Sequence, residues 1–214
     1  MSTKAKNMPS LATSAKEASR DMRKLPTKTR NNALENIAIA LEAHTKEILL
    51  ANDKDCDWAR KNGLQDSIID RLVLNASRLK ALTESVREII ALPDPNGEVF
   101  DMSTRPNGMI VGRKRTPLGV IGAIYESRPD VTVELSALCI KSGNCCILRG
   151  GKEAFNSNLA ISNVIRDAIG KSGIPKNAVT FVESTDRRIV LEMLQMKGLI
   201  DLLIPRGGAE FIKF

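Results

Sequence analysis

The sequence predicts an α/β protein: a doubly wound parallel sheet preceded by helices and a β-hairpin arm. Three observations carry that expectation. The first ninety residues repeat apolar positions at helical spacing. An Asn-Gly pair then sits between two short extended runs. From Pro117 onward, four short apolar strands alternate with polar loops and amphipathic helices.

The elements follow in order. Lys4, Lys6 and Lys16, with no acid before Glu17, read as a frayed basic N-terminus. Leu34, Ile37, Leu41, Ile48 and Leu49 keep to one helical face. Pro26 suits the first turn of that helix, and Thr27 or Thr29 is placed to cap it. Gly63 stops a helical stretch over residues 53–61. Leu79, Leu82, Val86 and Ile89 mark another helix, closed by Pro93. These stripes read as core packing, and His44 among them is assigned no chemistry. Residues 98–105 and 109–115 flank Asn107-Gly108, which supplies the positive φ angles of a two-residue turn. Strands are expected at 120–125, 146–149, 179–182 and 202–205, with helices at about 131–141, 154–171 and 187–196. One helix per crossover requires parallel strands, and helices on both faces explain why the strands are mostly apolar. The expected division is 1–95 helical, 96–116 hairpin and 117–214 α/β core.

Composition removes several functions. The chain has 214 residues, 43% hydrophobic and 27% charged, which is globular usage. No apolar run approaches the ~20 residues that cross a bilayer, and no secretory signal opens the chain. Cys56, Cys139, Cys145 and Cys146 form no C-x-x-C, and there is a single histidine, so no metal site is expected. The thiols read as reduced and cytosolic. The net charge is +7, and most of the excess lies after residue 107. Aromatics are 3%, too few for a stacking platform, so nucleic acid is an unlikely partner.

Ligands of an open parallel sheet bind beyond the carboxyl ends of its strands. Those ends read Glu126-Ser127-Arg128-Pro129-Asp130, Arg149-Gly150-Gly151-Lys152-Glu153, Glu183-Ser184-Thr185-Asp186 and Arg206-Gly207-Gly208. Glycines let backbone N–H groups approach an anion, and arginine forks grip phosphate. The edge therefore suits a phosphorylated ligand such as a dinucleotide, although no G-x-G-x-x-G is present. Cys145 and Cys146 start their strand, at the wrong edge, and Cys139 lies within a helix. Ser127 has no base near it in sequence, which argues against a serine hydrolase triad.

The blocks Pro117–Gly122, Tyr125-Glu126-Ser127-Arg128-Pro129, Lys141-Ser142-Gly143-Asn144, Leu148–Ala154 and Asp201–Gly208 resemble the γ-glutamyl phosphate reductase family. That family is a branch of the aldehyde dehydrogenase superfamily, and the resemblance covers essentially the whole chain. It implies an aldehyde dehydrogenase-like, Rossmann-like fold with an NADP-binding domain, a catalytic domain and an oligomerisation hairpin. The implied reaction is NADPH-dependent reduction of L-glutamyl 5-phosphate to L-glutamate 5-semialdehyde with release of phosphate, the second step of proline synthesis from glutamate. A cysteine thiolate displaces phosphate, and hydride then reduces the thioester.

The resemblance places Ser127 and Arg128 at the substrate and oxyanion contacts. It places Arg149, Gly150, Gly151 and Lys152 at the adenosine ribose and its 2′-phosphate, and Arg206, Gly207 and Gly208 near the pyrophosphate. Asp130 stands where Asn is more usual, and either residue can cap the following helix. The family's nucleophilic cysteine would lie beyond Phe214, so the catalytic domain is expected to be missing and the chain alone inactive. An exposed apolar patch and self-association are expected with it. A homo-oligomer built through the hairpin, a functional link to glutamate 5-kinase and a cytoplasmic location are also implied. Two other readings stand beside this one: a different acyl-phosphate or aldehyde dehydrogenase fragment, and a non-catalytic basic binding module.

Overall fold

The structure is a computed structural model that describes residues 7–207. Five helices come first: α1 (Met8–Met22), α2 (Thr27–Ala43), α3 (Thr45–Lys61), α4 (Asp66–Leu72) and α5 (Ala76–Ala91). A hairpin of β1 (Val99–Thr104) and β2 (Ile110–Lys114) follows. The core then alternates β3 (Val120–Tyr125), α6 (Pro129–Lys141), β4 (Cys145–Arg149), α7 (Phe155–Lys171), β5 (Val179–Phe181), α8 (Arg188–Gln195) and β6 (Leu202–Arg206).

The four core strands are parallel and lie in the order β5-β4-β3-β6. The chain thus runs outward from β3 to β5, then returns to place β6 on the other side of β3. Every residue of β3 and β4 is buried, so helices must cover both faces. α6 packs on β3 and β4 and α7 on β5, while α1 lies across β3, β4 and β5 and meets α8. An outer layer of α2, α3 and α5 packs on α6 and α7.

Polar residues lock these layers. Buried Asp55 on α3 accepts bonds from the backbone N–H and side chain of both Asn156 and Ser157, at 2.6–3.1 Å. It thereby satisfies donors left open at the start of α7. Asn52 joins it, donating to Ser157 Oγ and the Leu72 carbonyl and accepting from Leu74 N–H. On the other face, Lys16 of α1 pairs with Asp201 at 2.7 Å, and Asp201 also accepts from Val120 N–H. Gly119 precedes that bond with φ +128°, and a Cβ there would stand 2.3 Å from Asp201 Oδ2.

Several expectations need correction. Residues 8–22 form a helix with Met8, Ala12, Ala15 and Met22 buried against the sheet, so Lys16 is not part of a frayed terminus. Lys4 and Lys6 lie outside the described residues. The stripe Leu34–Leu49 spans two helices, because the chain turns at His44. Thr27 does not cap α2; its hydroxyl donates to Asp94, and Pro26 holds the cap position. The short helix α4 had no sequence signal strong enough to predict it. The hairpin turn holds three residues, Pro106 to Gly108, closed by Arg105 N–H bonding to the Met109 carbonyl. Only Gly108 takes a positive φ there, +83°. Proline at the first turn position suits this three-residue form.

The hairpin exposes Val99, Met102, Met109 and Ile110; Leu202 on the β6 edge and Leu191 and Leu194 of α8 are exposed as well. No helix among the described residues is long and apolar enough to cross a membrane.

Candidate functional site

The switch point of this sheet falls between β3 and β6, where successive connections leave in opposite directions. A crevice opens there beyond the carboxyl ends. It is a cleft of about 730 Å3, walled by the loops after β3, β4 and β6 and by α3 and α4. Ser127, Arg128, Lys152, Arg206 and Gly207 all reach it. Gly208 lies outside the described residues.

Two strand ends are tied together by a carboxylate. Ser127 donates to Glu153 Oε1 twice, through its backbone N–H and its hydroxyl, both at 2.8 Å. Ser127 itself sits at φ +20°, a conformation non-glycine residues rarely hold. The Glu153 clamp holds it there. Gly151 makes the clamp possible: a Cβ on it would lie 2.0 Å from Glu153 Oε1. Gly150 does the same for Asn158, whose Nδ2 would lie 2.2 Å from a Cβ. Both glycines therefore make room for the protein's own side chains. Asn158 accepts from Thr132, which pairs in turn with the Tyr125 hydroxyl, so a buried polar chain lies beneath the β3 and β4 ends.

Arg149 ends β4 and is 7% exposed. One of its guanidinium nitrogens donates to the Thr185 carbonyl at 3.2 Å, while Nε has no partner among the described residues. Burial pulls this guanidinium below its ordinary pKa, and Glu153 opposes the shift. Lys152 holds its ammonium 5.4 Å above the Trp58 ring. Arg206 lies 3.5 Å from Glu134 and remains exposed. Arg128 leads into α6, its carbonyl accepting from Val131 N–H, and its guanidinium has no ion pair or hydrogen bond among the described residues.

Three participants escaped the sequence reading: Trp58 and Arg71, from the N-terminal helices, and Glu153 as a clamp. Trp58 is the only tryptophan in the chain, the one signal that could have singled it out. Asp130 is not a cap: its carboxylate makes no hydrogen bond among the described residues, and Oδ1 is buried without a partner.

The cysteines behave as expected of core residues. All four are free and buried. Burial pushes the Cys145 thiol up to about 12, and Cys146, hydrogen-bonded to Cys139 and buried, is also raised. Burial raises Cys56 as well. No group of three metal-ligating side chains occurs among the described residues.

Sheet order, buried parallel strands and a basic cleft at the switch point define a doubly wound α/β protein with an open crevice at its strand ends. The aldehyde dehydrogenase family model matches residues 1–209, and the chain belongs to that family. It is 50% identical over 202 residues to a γ-glutamyl phosphate reductase of Caldanaerobacter subterraneus, covering 94% of this chain and 49% of the relative. Against the same-named protein of Geobacter metallireducens it is 46% identical over 212 residues, 99% of this chain and 51% of the relative. The chain spans about half the length of the curated relatives it matches. The crystal structure of γ-glutamyl phosphate reductase from Thermotoga maritima superposes with a TM-score of 0.95 at 44% identity, covering 98% of this chain and 50% of that one.

Proposed function

We propose that this chain forms the dinucleotide-holding part of an NADPH-dependent reductase that converts L-glutamyl 5-phosphate to L-glutamate 5-semialdehyde and releases phosphate. The observation that carries this is the basic switch-point cleft, in a chain half identical to reductases of that name. A nicotinamide dinucleotide fits the residues present. Arg149 does not line the cleft but keeps a buried nitrogen without a partner at the end of β4, and Lys152 and Arg206 add exposed positive charge to the cleft itself. Arg149 and Lys152 would hold the adenosine ribose and 2′-phosphate, and Arg206, Gly207 and Gly208 would lie toward the pyrophosphate. When bound, NADPH supplies the hydride that reduces the acyl carbon.

The chain's own residues orient the acyl phosphate. Arg128 offers an unpaired guanidinium at the mouth of the cleft. Ser127 presents N–H and O–H donors for a developing oxyanion, once Glu153 releases one of them. No thiol of this chain supplies the nucleophile, because its four cysteines are buried. The chain alone therefore binds and does not turn over. In the same reading the hairpin serves self-association, glutamate 5-kinase supplies the acyl phosphate, and the protein works in the cytoplasm.

Trp58 gives a direct test, because it lines the cleft and NADPH absorbs its emission. NADPH should quench it saturably, more tightly than NADH, and less so as salt rises. Lys152→Glu should weaken NADPH about tenfold, the loss of one charge-assisted phosphate contact. No saturable quenching, or equal affinity for both dinucleotides in wild type and variant, would remove the reading.

A further inference from the structure

A separate cavity, of about 310 Å3, opens at the base of the hairpin and shares no lining residue with the strand-end cleft. Its walls come from the loop between α1 and α2, the first turn of α2, the segment between α5 and β1, and the end of β2. Arg23, Arg30, Asp94, Asn96, Lys114 and Arg115 supply its polar lining, four cations against one carboxylate. Met22, Leu25 and Pro117 give it an apolar side. This volume sits at the lower end of the range for small-molecule sites.

Two donors of this lining are buried and unmet. Arg30 is 4% exposed, and its Nε has no acceptor among the described residues; Asn96 Nδ2 is buried in the same condition. Gly143, at φ +73°, lets the two side chains converge: a Cβ on it would lie 3.3 Å from both Arg30 Nη1 and Asn96 Nδ2. The one carboxylate is already spent. Asp94 accepts from the Thr27 hydroxyl, from Arg30 Nη2 and from Asn96 N–H. A second buried cation stands behind Arg30. Lys141 is 4% exposed and donates to two neutral groups, Asn31 Oδ1 and the Ile90 carbonyl. Arg30 and Lys141 therefore share the charge of Asp94, which leaves a buried excess of positive charge. Buried charge without a counter-charge is unfavourable, and an anion relieves it. Arg115 is consumed by Glu98 and the Phe100 ring, whereas the side chains of Arg23 and Lys114 make no hydrogen bond or ion pair among the described residues.

We infer that this cavity is a phosphate site, in which Arg23 and Arg30 of the helical layer, Asn96 Nδ2 and Lys114 of the hairpin hold one phosphate group. These donors come from four segments of chain around the cavity. A tetrahedral group with three acceptor oxygens meets such a set better than a planar carboxylate does. The apolar side admits an organic stem, so free phosphate and a small phosphate monoester share the chemistry required. A bound phosphate fastens the hairpin to the helices, because Lys114 belongs to one and Arg23 and Arg30 to the other.

Titration of the isotope-labelled chain with inorganic phosphate, phenyl phosphate and acetate, followed by nuclear magnetic resonance, tests it. The side-chain amide signal of Asn96, assigned by its loss in Asn96→Ala, reads this cavity and not the strand-end cleft. It should shift saturably with both phosphates and not with acetate at equal ionic strength. The tighter of the two phosphates names the source, the free ion or a monoester. Lys114→Glu and Arg23→Gln should each weaken phosphate about tenfold, the loss of one charge-assisted contact. Both residues are exposed, circular dichroism melts confirm that the variants are folded, and either variant alone suffices. Phosphate should also raise the Tm of wild type more than that of Lys114→Glu, since a ligand of the folded state stabilises it by mass action. An Asn96 signal that moves with neither phosphate, or moves as much with acetate, would overturn the inference. So would a phosphate affinity unchanged in both variants.

Discussion

Removing the Glu153 clamp should loosen the site and destabilise the fold together. In Glu153→Ala, Ser127 loses two bonds of 2.8 Å to a carboxylate oxygen. Hydrogen bonds to charged groups are worth about 1.5–3 kcal/mol each, so the gross loss is roughly 3–6 kcal/mol. Part of this returns, because Ser127 can leave its φ of +20° and release about 1–3 kcal/mol of strain. The net cost is about 2–3 kcal/mol, and for a chain of this size that lowers Tm by roughly 5–10 °C. Glu153→Gln keeps a neutral acceptor and should lose about half as much. Melts followed by circular dichroism read both variants. A Glu153→Ala chain melting within about 1 °C of wild type would show that the clamp does not hold the loop.

Three further outcomes follow from the same packing. Gly119→Ala places a Cβ 2.3 Å from Asp201 at φ +128°, and should cost about 3 kcal/mol in urea denaturation. Burial raises the Asp201 pKa, but the Lys16 bond and Val120 N–H outweigh it and hold the group below its ordinary 3.8. Its contribution is therefore full above pH 3.8 and is lost as pH falls through the lower folded value, so Asp201→Asn should flatten the acid limb of stability against pH. The four buried thiols should react with a disulfide reagent at pH 8 only after unfolding, read by the absorbance of the released thiolate.

Much of this architecture was legible because it is written in local patterns. The core strands are short apolar runs between turn signals, and all four were bounded within a residue. Ser127, Arg128, Lys152 and Arg206 could be found because parallel strands send their carboxyl-end loops to one edge. Within the helical first ninety residues α1 was not singled out, because half of its buried positions are alanine, which carries little apolar signal. The hairpin turn was misjudged because Asn-Gly suits a two-residue loop, whereas Pro106 ahead of it admits a longer one.

The sequence alone determined the class of fold, the sheet edge on which the strand-end loops converge and the place of Cys139, Cys145 and Cys146 away from that edge. Each depends on residues near one another in the chain. Only the tertiary structure decided that Glu153 clamps Ser127, that Trp58 and Arg71 close the cleft, and that Arg30 and Asn96 line a separate cavity with donors left unmet. Those are contacts between elements far apart in sequence or questions of room between packed side chains, and no local periodicity encodes them.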